Sequence, residues 1–380
     1  MDQEISFNKP FIIGNELAYI ADAVARGHLS GDGTYTRRCQ AWMEAHFGAR
    51  RVLLTHSGTA ALEMAAILCD FQPGDELIVP SYTFTSTANA FVMRGGVPVF
   101  ADIRPDTMNL DETRIEALIT PRTKAIVPVH YAGVGCDMNA IMEIARRHGL
   151  LVVEDAAQGV CATRSGKYLG TIGHLGCYSF HETKNFISGE GGAIAINDPA
   201  LLERAEIIRE KGTNRSQFFR GMTDKYTWVD IGSSYLPGEL TAAFLYAQLE
   251  KSDQITRRRL HVWQTYHTRL QQLEEKGLLR RPVIPADCGH NAHMYYIVLR
   301  NLAERTELIA FLKARKIQAV FHYVPLHTSP MGMRFGGAPG TLPVTEEYAD
   351  RILRLPCYYE LSPADQERVC SALEEFFGIC

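Results

Sequence analysis

The sequence lacks the features that would place the protein in a membrane or on a secretory route. No apolar segment approaches the ~18 residues expected of a membrane-spanning helix. The N-terminal stretch MDQEISFNKPFII opens with acidic residues and does not have the basic-then-apolar layout of a signal peptide. We therefore expect no membrane segment and a cytoplasmic protein.

Metal-ligating and disulfide patterns are missing as well. The nine cysteines are scattered over 380 residues, with no Cys-x-x-Cys pair and no close spacing of Cys and His. An odd number of cysteines in a long chain of this kind is typical of reduced thiols in the cytoplasm. We predict no metal site.

Runs of basic residues are also absent. With 22% charged residues and a formal net charge of −4, the chain offers no basic tract of the kind that binds nucleic acid. These features argue against a general nucleic-acid binder. A phosphorylated or acidic small molecule is still compatible with them, because it needs only a local pocket.

The chain does have a regular alternation of short apolar runs and helical patterns between about residues 50 and 200. Predicted strands lie at 52–56, 76–80, 98–101, 124–129 and 150–154, and predicted helices at 59–69, 86–93, 111–119 and 138–148. Short buried strands separated by helices are typical of a mainly parallel sheet covered on both faces. We therefore predict an α/β fold.

The pattern changes after residue 239, where a long helical stretch runs to about residue 273 and prolines at 282 and 285 interrupt the chain. Predicted strands follow at 293–299 and 317–321, with a helix at 304–314 between them and an amphipathic helix at 363–377. We expect a large α/β domain over residues 1–250 and a smaller α+β domain over 251–380.

Two motifs follow predicted strands of the large domain, where open α/β sheets bind ligands. In HSGTAA (56–61), a glycine and the free N–H groups of a helix start suit a phosphate, although Ser-Gly-Thr is also an ordinary helix cap. In VVEDAAQ (152–158), Asp155 could pair with a cationic ring nitrogen and Gln158 with a neighbouring oxygen. The alternative is that Asp155 only caps the next helix.

A third motif, CYSFHETKNFISGEGG (177–192), places a lone lysine after a strand and before a glycine-rich turn. Ser179 can reach a phosphate, and Lys184 can attack a carbonyl to form a Schiff base. A solvated surface lysine is the alternative, but small or apolar neighbours count against it. A phosphate cradle, an acid for a ring nitrogen and a Schiff-base lysine together indicate pyridoxal 5′-phosphate.

The order of these motifs, with PSYTF at 80–84, resembles the DegT/DnrJ-type sugar aminotransferases over essentially the whole chain, down to HYVPLHTSP at 322–330. This resemblance implies a pyridoxal-phosphate-dependent transferase of fold type I, which is the aspartate aminotransferase-like fold. It also implies an enzyme that transfers an amino group to nucleotide-linked keto-sugars.

Carried over residue by residue, the resemblance implies that Lys184 is the Schiff-base lysine and Asp155 the partner of the pyridinium nitrogen. Phe84 occupies the position whose ring lies over the cofactor, which needs a flat apolar wall. The expected cofactor contacts are Gly58, Thr59, Phe84, Asp155, Gln158, Ser179 and Ser234. Ser234 departs from the family pattern: many relatives have Asn-Tyr-Arg reaching the partner subunit's cofactor phosphate, whereas this chain has SSYL at 233–236.

Two further stretches, VPVHYAGVGCDM (127–138) and KGTNRSQFFRGMTDKYTWVDIGSSYL (211–236), resemble family members that aminate dTDP-4-keto-6-deoxyglucose with L-glutamate. The implied products are dTDP-4-amino-4,6-dideoxygalactose, for bacterial surface polysaccharide, and 2-oxoglutarate. Amination of a C3 ketone, the gluco epimer at C4 and a UDP-linked sugar stay open. A protein that binds the cofactor without transamination is a further alternative, whereas Lys184 argues against the family's dehydratases, which have histidine there.

The sugar nucleotide needs cationic or hydrogen-bonding residues near the cofactor. Candidates are His181, Arg215, Arg220, Tyr323 and His327. For the arginines a solvated loop is an equal alternative, for His327 a packed histidine, and for His181 an orienting role in the lysine loop. The resemblance also implies a symmetric homodimer with shared active sites.

Overall fold

The computed structural model describes residues 3–379 and places a seven-stranded sheet at the centre of the fold. The strands in chain order are β1 (Arg51–Thr55), β2 (Glu76–Pro80), β3 (Val97–Ala101), β4 (Thr123–Ile126), β5 (Leu151–Asp155), β6 (Thr163–Arg164), β7 (Lys167–Tyr168), β8 (Leu175–Ser179), β9 (Gly192–Ile196), β10 (Cys288–Gly289), β11 (Tyr295–Val298) and β12 (Ile352–Leu355). The order across the central sheet is β1-β9-β8-β5-β4-β2-β3.

Helices cover this sheet and build most of the C-terminal part. They are α1 (Glu16–Ala25), α2 (Thr34–Phe47), α3 (Gly58–Leu68), α4 (Thr85–Val92), α5 (Glu112–Leu118), α6 (Met138–His148), α7 (Leu202–Arg209), α8 (Arg215–Phe219), α9 (Glu239–Leu249), α10 (Ser252–Arg269), α11 (Gln271–Glu275), α12 (Leu302–Ala314), α13 (Pro330–Met333), α14 (Pro343–Arg351) and α15 (Pro363–Phe376). Local signals set their ends. In α6, for example, Asp137 caps the first turn by accepting from the Ala140 amide, and Gly149 ends the helix at a φ of 66°.

The central strands are apolar on both faces because helices pack on both sides. Along β1, Leu53 lies in the cluster built around α3, whereas Val52 and Leu54 lie in a second cluster with residues of α2 and α9. The same alternation continues in β8, where Cys177 and Tyr178 belong to opposite clusters. This double burial is why short apolar runs predicted a mainly parallel sheet.

One central strand runs against the others. β9 pairs antiparallel with both β1 and β8, while β5, β8, β4, β2 and β3 are joined by parallel pairs. The chain between β8 and β9 therefore folds back at the carboxyl edge of the sheet. The ends of β1, β5 and β8, with the segment after β8, meet at this edge.

The C-terminal part forms its own core around the antiparallel pair β11–β12, with α10, α12 and α15 packed on it. Ile5 also packs into this core, so the N-terminus reaches the smaller unit. The helical stretch predicted over 239–273 is divided into α9, α10 and α11. The strand predicted at 317–321 is wrong: Ile317 and Val320 make only single bridges, because Ile5 and Arg354 each meet this segment at one residue.

Within residues 3–379, no helix is both long and apolar enough to cross a membrane. The same part of the chain has no group of three or more His, Cys, Asp and Glu side chains arranged to hold a metal ion.

Candidate active site

A cavity of about 550 Å³ lies where the carboxyl edge of the large sheet meets the smaller unit. The motifs that follow β1, β5 and β8 all contribute to its walls. Most residues predicted from the sequence line it, namely Gly58, Thr59, Phe84, Asp155, Gln158, Ser179, His181, Lys184 and Tyr323.

The turn after β1 provides one end of this cavity. Ser57 caps α3 by accepting from the Ala60 amide at 3.0 Å, so the first amides of the helix are left at the cavity wall. Gly58 packs tightly against the end of β8: a Cβ at this position would lie 2.8 Å from the Cβ of Ser179. The helix start, the glycine and the Ser179 hydroxyl together suit a bound phosphate.

Asp155 ends β5 as a carboxylate with fixed partners. It is 5% exposed, and its Oδ2 accepts from Thr87 Oγ1 at 2.7 Å while its Oδ1 accepts from the Ala157 amide at 3.1 Å. Thr83 in turn lies 2.8 Å from Thr87, oxygen to oxygen. The chain forms a turn rather than a helix after Asp155, so this residue does not cap a helix. One hydroxyl and one amide thus hold the carboxylate at the cavity floor, and the Thr83 hydroxyl reaches it only through Thr87.

Lys184 lies on the segment that folds back between β8 and β9. Phe180 and Gly191 close this segment through a 2.8 Å backbone hydrogen bond, and Gly189 turns it at a φ of 79°. Burial lowers the pKa of Lys184 from 10.5 to about 8, against an opposing pull from the negative charge of Asp155. The result is an amine that is uncharged more often than an exposed lysine and is therefore more nucleophilic.

Aromatic side chains form another wall. Gln158 donates to the Tyr323 hydroxyl at 3.0 Å and accepts from the Ala132 amide at 2.7 Å. The Tyr323 ring stacks on His322 with centroids 3.6 Å apart. Phe84 is 58% exposed and its ring centroid lies 6.4 Å from that of Tyr323, so it offers a flat apolar face to the cavity.

The smaller unit contributes residues that the sequence analysis missed. His293, His322 and Arg354 all line the cavity. His293 Nδ1 lies 3.0 Å from Asn185 Oδ1, which ties the lysine segment to the smaller unit. The sequence did contain a signal for Arg354, which is the lone arginine within the apolar run ILRLP. A charged side chain in a buried strand is costly unless it has a partner or a ligand, so it indicates a functional position.

Four predicted residues lie elsewhere. His327 is 0% exposed, with Nδ1 2.6 Å from Ser81 Oγ and Nε2 3.0 Å from Glu346 Oε1, so within this chain it is a packed histidine that joins the two units. Arg215, Arg220 and Ser234 line a second cavity of about 800 Å³. These four do not reach the Lys184 cavity of their own chain.

His181 lies at the rim and bonds locally. Its Nδ1 accepts from the Thr183 amide at 3.2 Å and lies 3.0 Å from the Thr183 hydroxyl. These contacts fit the orienting role more closely than a direct role in substrate binding.

The residues present fit pyridoxal 5′-phosphate. The tight Gly58–Ser179 contact leaves backbone amides for a phosphate, the buried Asp155 carboxylate suits a cationic ring nitrogen, and Lys184 is a prepared amine. All of these groups line the same cavity, so one bound ligand can contact all of them.

Comparisons with known proteins agree with this chemistry. The profile of the DegT/DnrJ/EryC1/StrS aminotransferase family matches residues 10–374. GDP-perosamine synthase of Caulobacter vibrioides is 35% identical over 375 residues, which cover 98% of each protein.

Solved structures show the same fold. The aminotransferase TlmJ from Streptoalloteichus hindustanus has a TM-score of 0.90 and 30% identity, covering 98% of this chain and 99% of that one. DesV from S. venezuelae has a TM-score of 0.89 and 30% identity, covering 99% of both chains. The expected aspartate aminotransferase-like fold and the expected cofactor are thereby confirmed. The chain belongs to the DegT/DnrJ/EryC1/StrS aminotransferase family and is a pyridoxal 5′-phosphate-dependent sugar aminotransferase.

Proposed function

We propose that the protein transfers the amino group of L-glutamate to C4 of dTDP-4-keto-6-deoxy-D-glucose. The products are dTDP-4-amino-4,6-dideoxy-D-galactose, for bacterial surface polysaccharide, and 2-oxoglutarate. The observation that carries the transamination is the pairing of Lys184, whose pKa is lowered to about 8, with the buried Asp155 in one cavity. A protein that only stores the cofactor would not need a lysine kept partly uncharged.

The chain's residues divide the work of the reaction. When bound, pyridoxal 5′-phosphate supplies the electron sink and carries the amino group between the two substrates. Lys184 Nζ removes the proton from the α-carbon of glutamate and returns a proton to C4 of the sugar in the second half-reaction. Asp155 holds a proton at the ring nitrogen of the cofactor, and Thr87 keeps the carboxylate in place for that task. The walls built by Phe84 and Tyr323 restrict water around the reacting carbon.

The stretches 127–138 and 211–236 support the dTDP-linked 4-keto-sugar, because they resemble family members with that substrate. The relative named GDP-perosamine synthase supports a second candidate, a GDP-linked keto-sugar. Amination at C3, the gluco epimer and a UDP-linked sugar are further competitors. Each would give a product that is distinguished by its nucleotide, by the carbon that carries the amino group or by the configuration at that carbon.

A homodimer with shared active sites is part of the proposal. Met222, Trp228 and Val229 are more than half exposed, at 69%, 77% and 51%, within the segment that also carries Arg215 and Arg220. A second copy of the chain would bury these apolar side chains and bring that segment towards the partner's cavity. Arg215, Arg220 and Ser234 would then serve the partner subunit. Sedimentation should show a dimer for the unaltered protein and a shift towards monomer for Trp228→Asp, whereas unchanged sedimentation of the variant would contradict this interface.

We further propose a cytoplasmic location. All the described cysteines are free thiols, in keeping with a reducing compartment.

The proposed reaction is tested by a two-step titration of the purified holoenzyme. Glutamate should remove the visible absorbance of the lysine-linked cofactor, and dTDP-4-keto-6-deoxyglucose should restore it. NMR of the sugar product should show an axial amino group at C4, as in the galacto configuration. If glutamate removes the absorbance but this sugar does not restore it, the proposed sugar substrate is wrong. The GDP- and UDP-linked keto-sugars should then be tried in its place. If glutamate has no effect, the donor is wrong.

A further inference from the structure

The His293 ring reaches the Lys184 cavity from the smaller unit, just before β11. Arg259 on α10 fixes the chain at this point, because its Nη2 donates to the His293 carbonyl oxygen at 2.8 Å. Of the two ring nitrogens, Nδ1 lies 3.0 Å from Asn185 Oδ1. Within residues 3–379, Nε2 has no hydrogen-bond partner, yet it is not sealed in the core, so it is open to the cavity.

The neighbouring amides decide which ring nitrogen carries the hydrogen. Asn185 Nδ2 donates to the Asn291 carbonyl oxygen at 2.8 Å, so Oδ1 is the atom that faces His293. An amide oxygen can only accept, and Nδ1 of His293 must therefore be the donor of this pair. Burial and the positive charge of Lys184 lower the pKa of His293 well below its usual value, which keeps the ring neutral. Nε2 is thus left with a lone pair that faces the cavity.

This lone pair favours a ligand group that donates a hydrogen bond. Because its pKa is lowered, the His293 imidazole is a weak base that suits accepting a hydrogen bond better than removing a proton. L-Glutamate offers no donor apart from its reacting amino group, since carboxylates only accept. A keto-sugar has hydroxyl groups, which are neutral donors. The ring is therefore matched to the sugar substrate.

We infer that His293 is a specificity-determining residue whose Nε2 accepts a hydrogen bond from the C3 hydroxyl of the 4-keto-sugar. This inference rests on the proposed function, since it presupposes a sugar with its ketone at C4. Asn185, which holds the His293 ring, is the next residue after Lys184, so the ring lies beside the lysine that acts at C4. The C3 hydroxyl is borne by the carbon bonded to C4, whereas the C2 hydroxyl is one carbon further away.

The two half-reactions separate this role from a purely structural one. If His293 only tied the lysine segment to the smaller unit through Asn185, its loss would displace Lys184 and slow the glutamate and keto-sugar half-reactions alike. A hydrogen bond to the sugar is made in the keto-sugar half-reaction alone, so only that step should depend on Nε2.

The test uses the holoenzymes of His293→Phe, His293→Gln and the exposed control His261→Gln, each first checked for cofactor content and melting temperature. In single-turnover experiments, His293→Phe should slow the reaction of the amino-group-carrying enzyme with dTDP-4-keto-6-deoxyglucose ~10-fold. The glutamate half-reaction should change by less than ~3-fold. His293→Gln should recover part of the rate, because its amide oxygen can accept, and His261→Gln should behave as the unaltered protein.

Sugar analogues test the choice of hydroxyl. The analogue without the C3 hydroxyl should react ~10-fold more slowly with the unaltered enzyme, and His293→Phe should add less than ~3-fold to that loss. The analogue without the C2 hydroxyl should still show the full ~10-fold effect of His293→Phe.

Equal losses in both half-reactions would overturn the inference, because His293 would then act on Lys184 or its segment. It would also be wrong if the effect of His293→Phe persisted with the 3-deoxy analogue, vanished with the 2-deoxy analogue or was absent with the natural sugar. In these cases the proposed function stands, since the unaltered enzyme still aminates the sugar. If the unaltered enzyme reacts with glutamate but not with the 4-keto-sugar, the proposed substrate and this inference fall together.

Discussion

Thr87 Oγ1 donates a 2.7 Å hydrogen bond to Oδ2 of Asp155, which joins the first helix turn after β2 to the end of β5. Thr83 Oγ1 lies 2.8 Å from Thr87 Oγ1 and extends this hydrogen-bonded chain. Because the single hydroxyl hydrogen of Thr87 is used in the bond to the carboxylate, the Thr83 hydroxyl donates to Thr87 Oγ1. The carboxylate is therefore held in one orientation towards the cavity, and the two threonine hydroxyls stabilise its negative charge.

Thr87→Val tests this support. The substitution keeps the shape but leaves a buried carboxylate oxygen without its donor, so turnover should fall ~10-fold. Thr83→Val is the matched control, because it removes a hydroxyl that reaches Asp155 only through Thr87, and its effect should be smaller. Steady-state kinetics of both variants at equal cofactor content would decide the matter. Equal losses would show that packing, not the hydrogen bond to Asp155, matters.

Asp155→Asn should retain the cofactor and lose most of the rate. The amide cannot hold a proton at the ring nitrogen electrostatically, so turnover should drop by ~100-fold or more. Cofactor content from absorbance, measured beside the rate, separates poor chemistry from poor binding. A near-normal rate would refute the role of this carboxylate.

The pKa of Lys184 can be followed in the cofactor-free protein. Since burial lowers this pKa from 10.5 to about 8, the uncharged amine should become available as the pH rises through about 8. The rate of modification by trinitrobenzenesulfonate, located by peptide mapping, should have its midpoint there. Asp155 raises the same pKa, so in Asp155→Asn the midpoint should move to lower pH. A midpoint near 10.5 would mean that Lys184 is an ordinary solvated lysine.

Lys184→Ala should abolish both the visible absorbance of the lysine-linked cofactor and turnover, leaving less than ~0.1% of the rate. Lys167→Ala, an exposed lysine on β7, is the control and should change neither. If the Lys184 variant kept its activity, the proposed role of Lys184 in proton transfer would be wrong.

Gly58→Ala should weaken cofactor binding. A Cβ there would meet the Cβ of Ser179 at 2.8 Å and displace either the turn or the serine, and ~10-fold lower cofactor affinity is expected. Gly14→Ala is a fitting control, since its Cβ would have no heavy atom within 4 Å. Equilibrium dialysis of the cofactor measures the difference, and equal affinities would contradict a phosphate cradle at this turn.

Much of the site could be predicted because its parts follow strands. Gly58, Asp155 and Ser179 come directly after or at the ends of β1, β5 and β8, and carboxyl ends of parallel strands share one edge of a sheet. Lys184 follows on the same edge because β9 must return beside β8. Short-range patterns and one topological rule were therefore enough to bring these side chains together.

The loops and the smaller unit could not be placed in this way. His327 was a candidate by motif, yet it fills the junction with Ser81 and Glu346, because the three-dimensional fit of the two units decides what its ring meets. Arg215 and Arg220 lie at a second cavity of their own chain. Their relation to the Lys184 cavity depends on a second subunit, which local sequence does not position.

The sequence by itself determined the α/β class, the cofactor chemistry and the residues at the strand ends, since each depends on local patterning and on the order of the motifs. Only the tertiary structure decided that Arg354, in the last strand, faces the same cavity as Lys184. Residues 184 and 354 are 170 positions apart in the sequence. No periodicity spans such a distance, and only the packing of the smaller unit against the large sheet brings the two cations together.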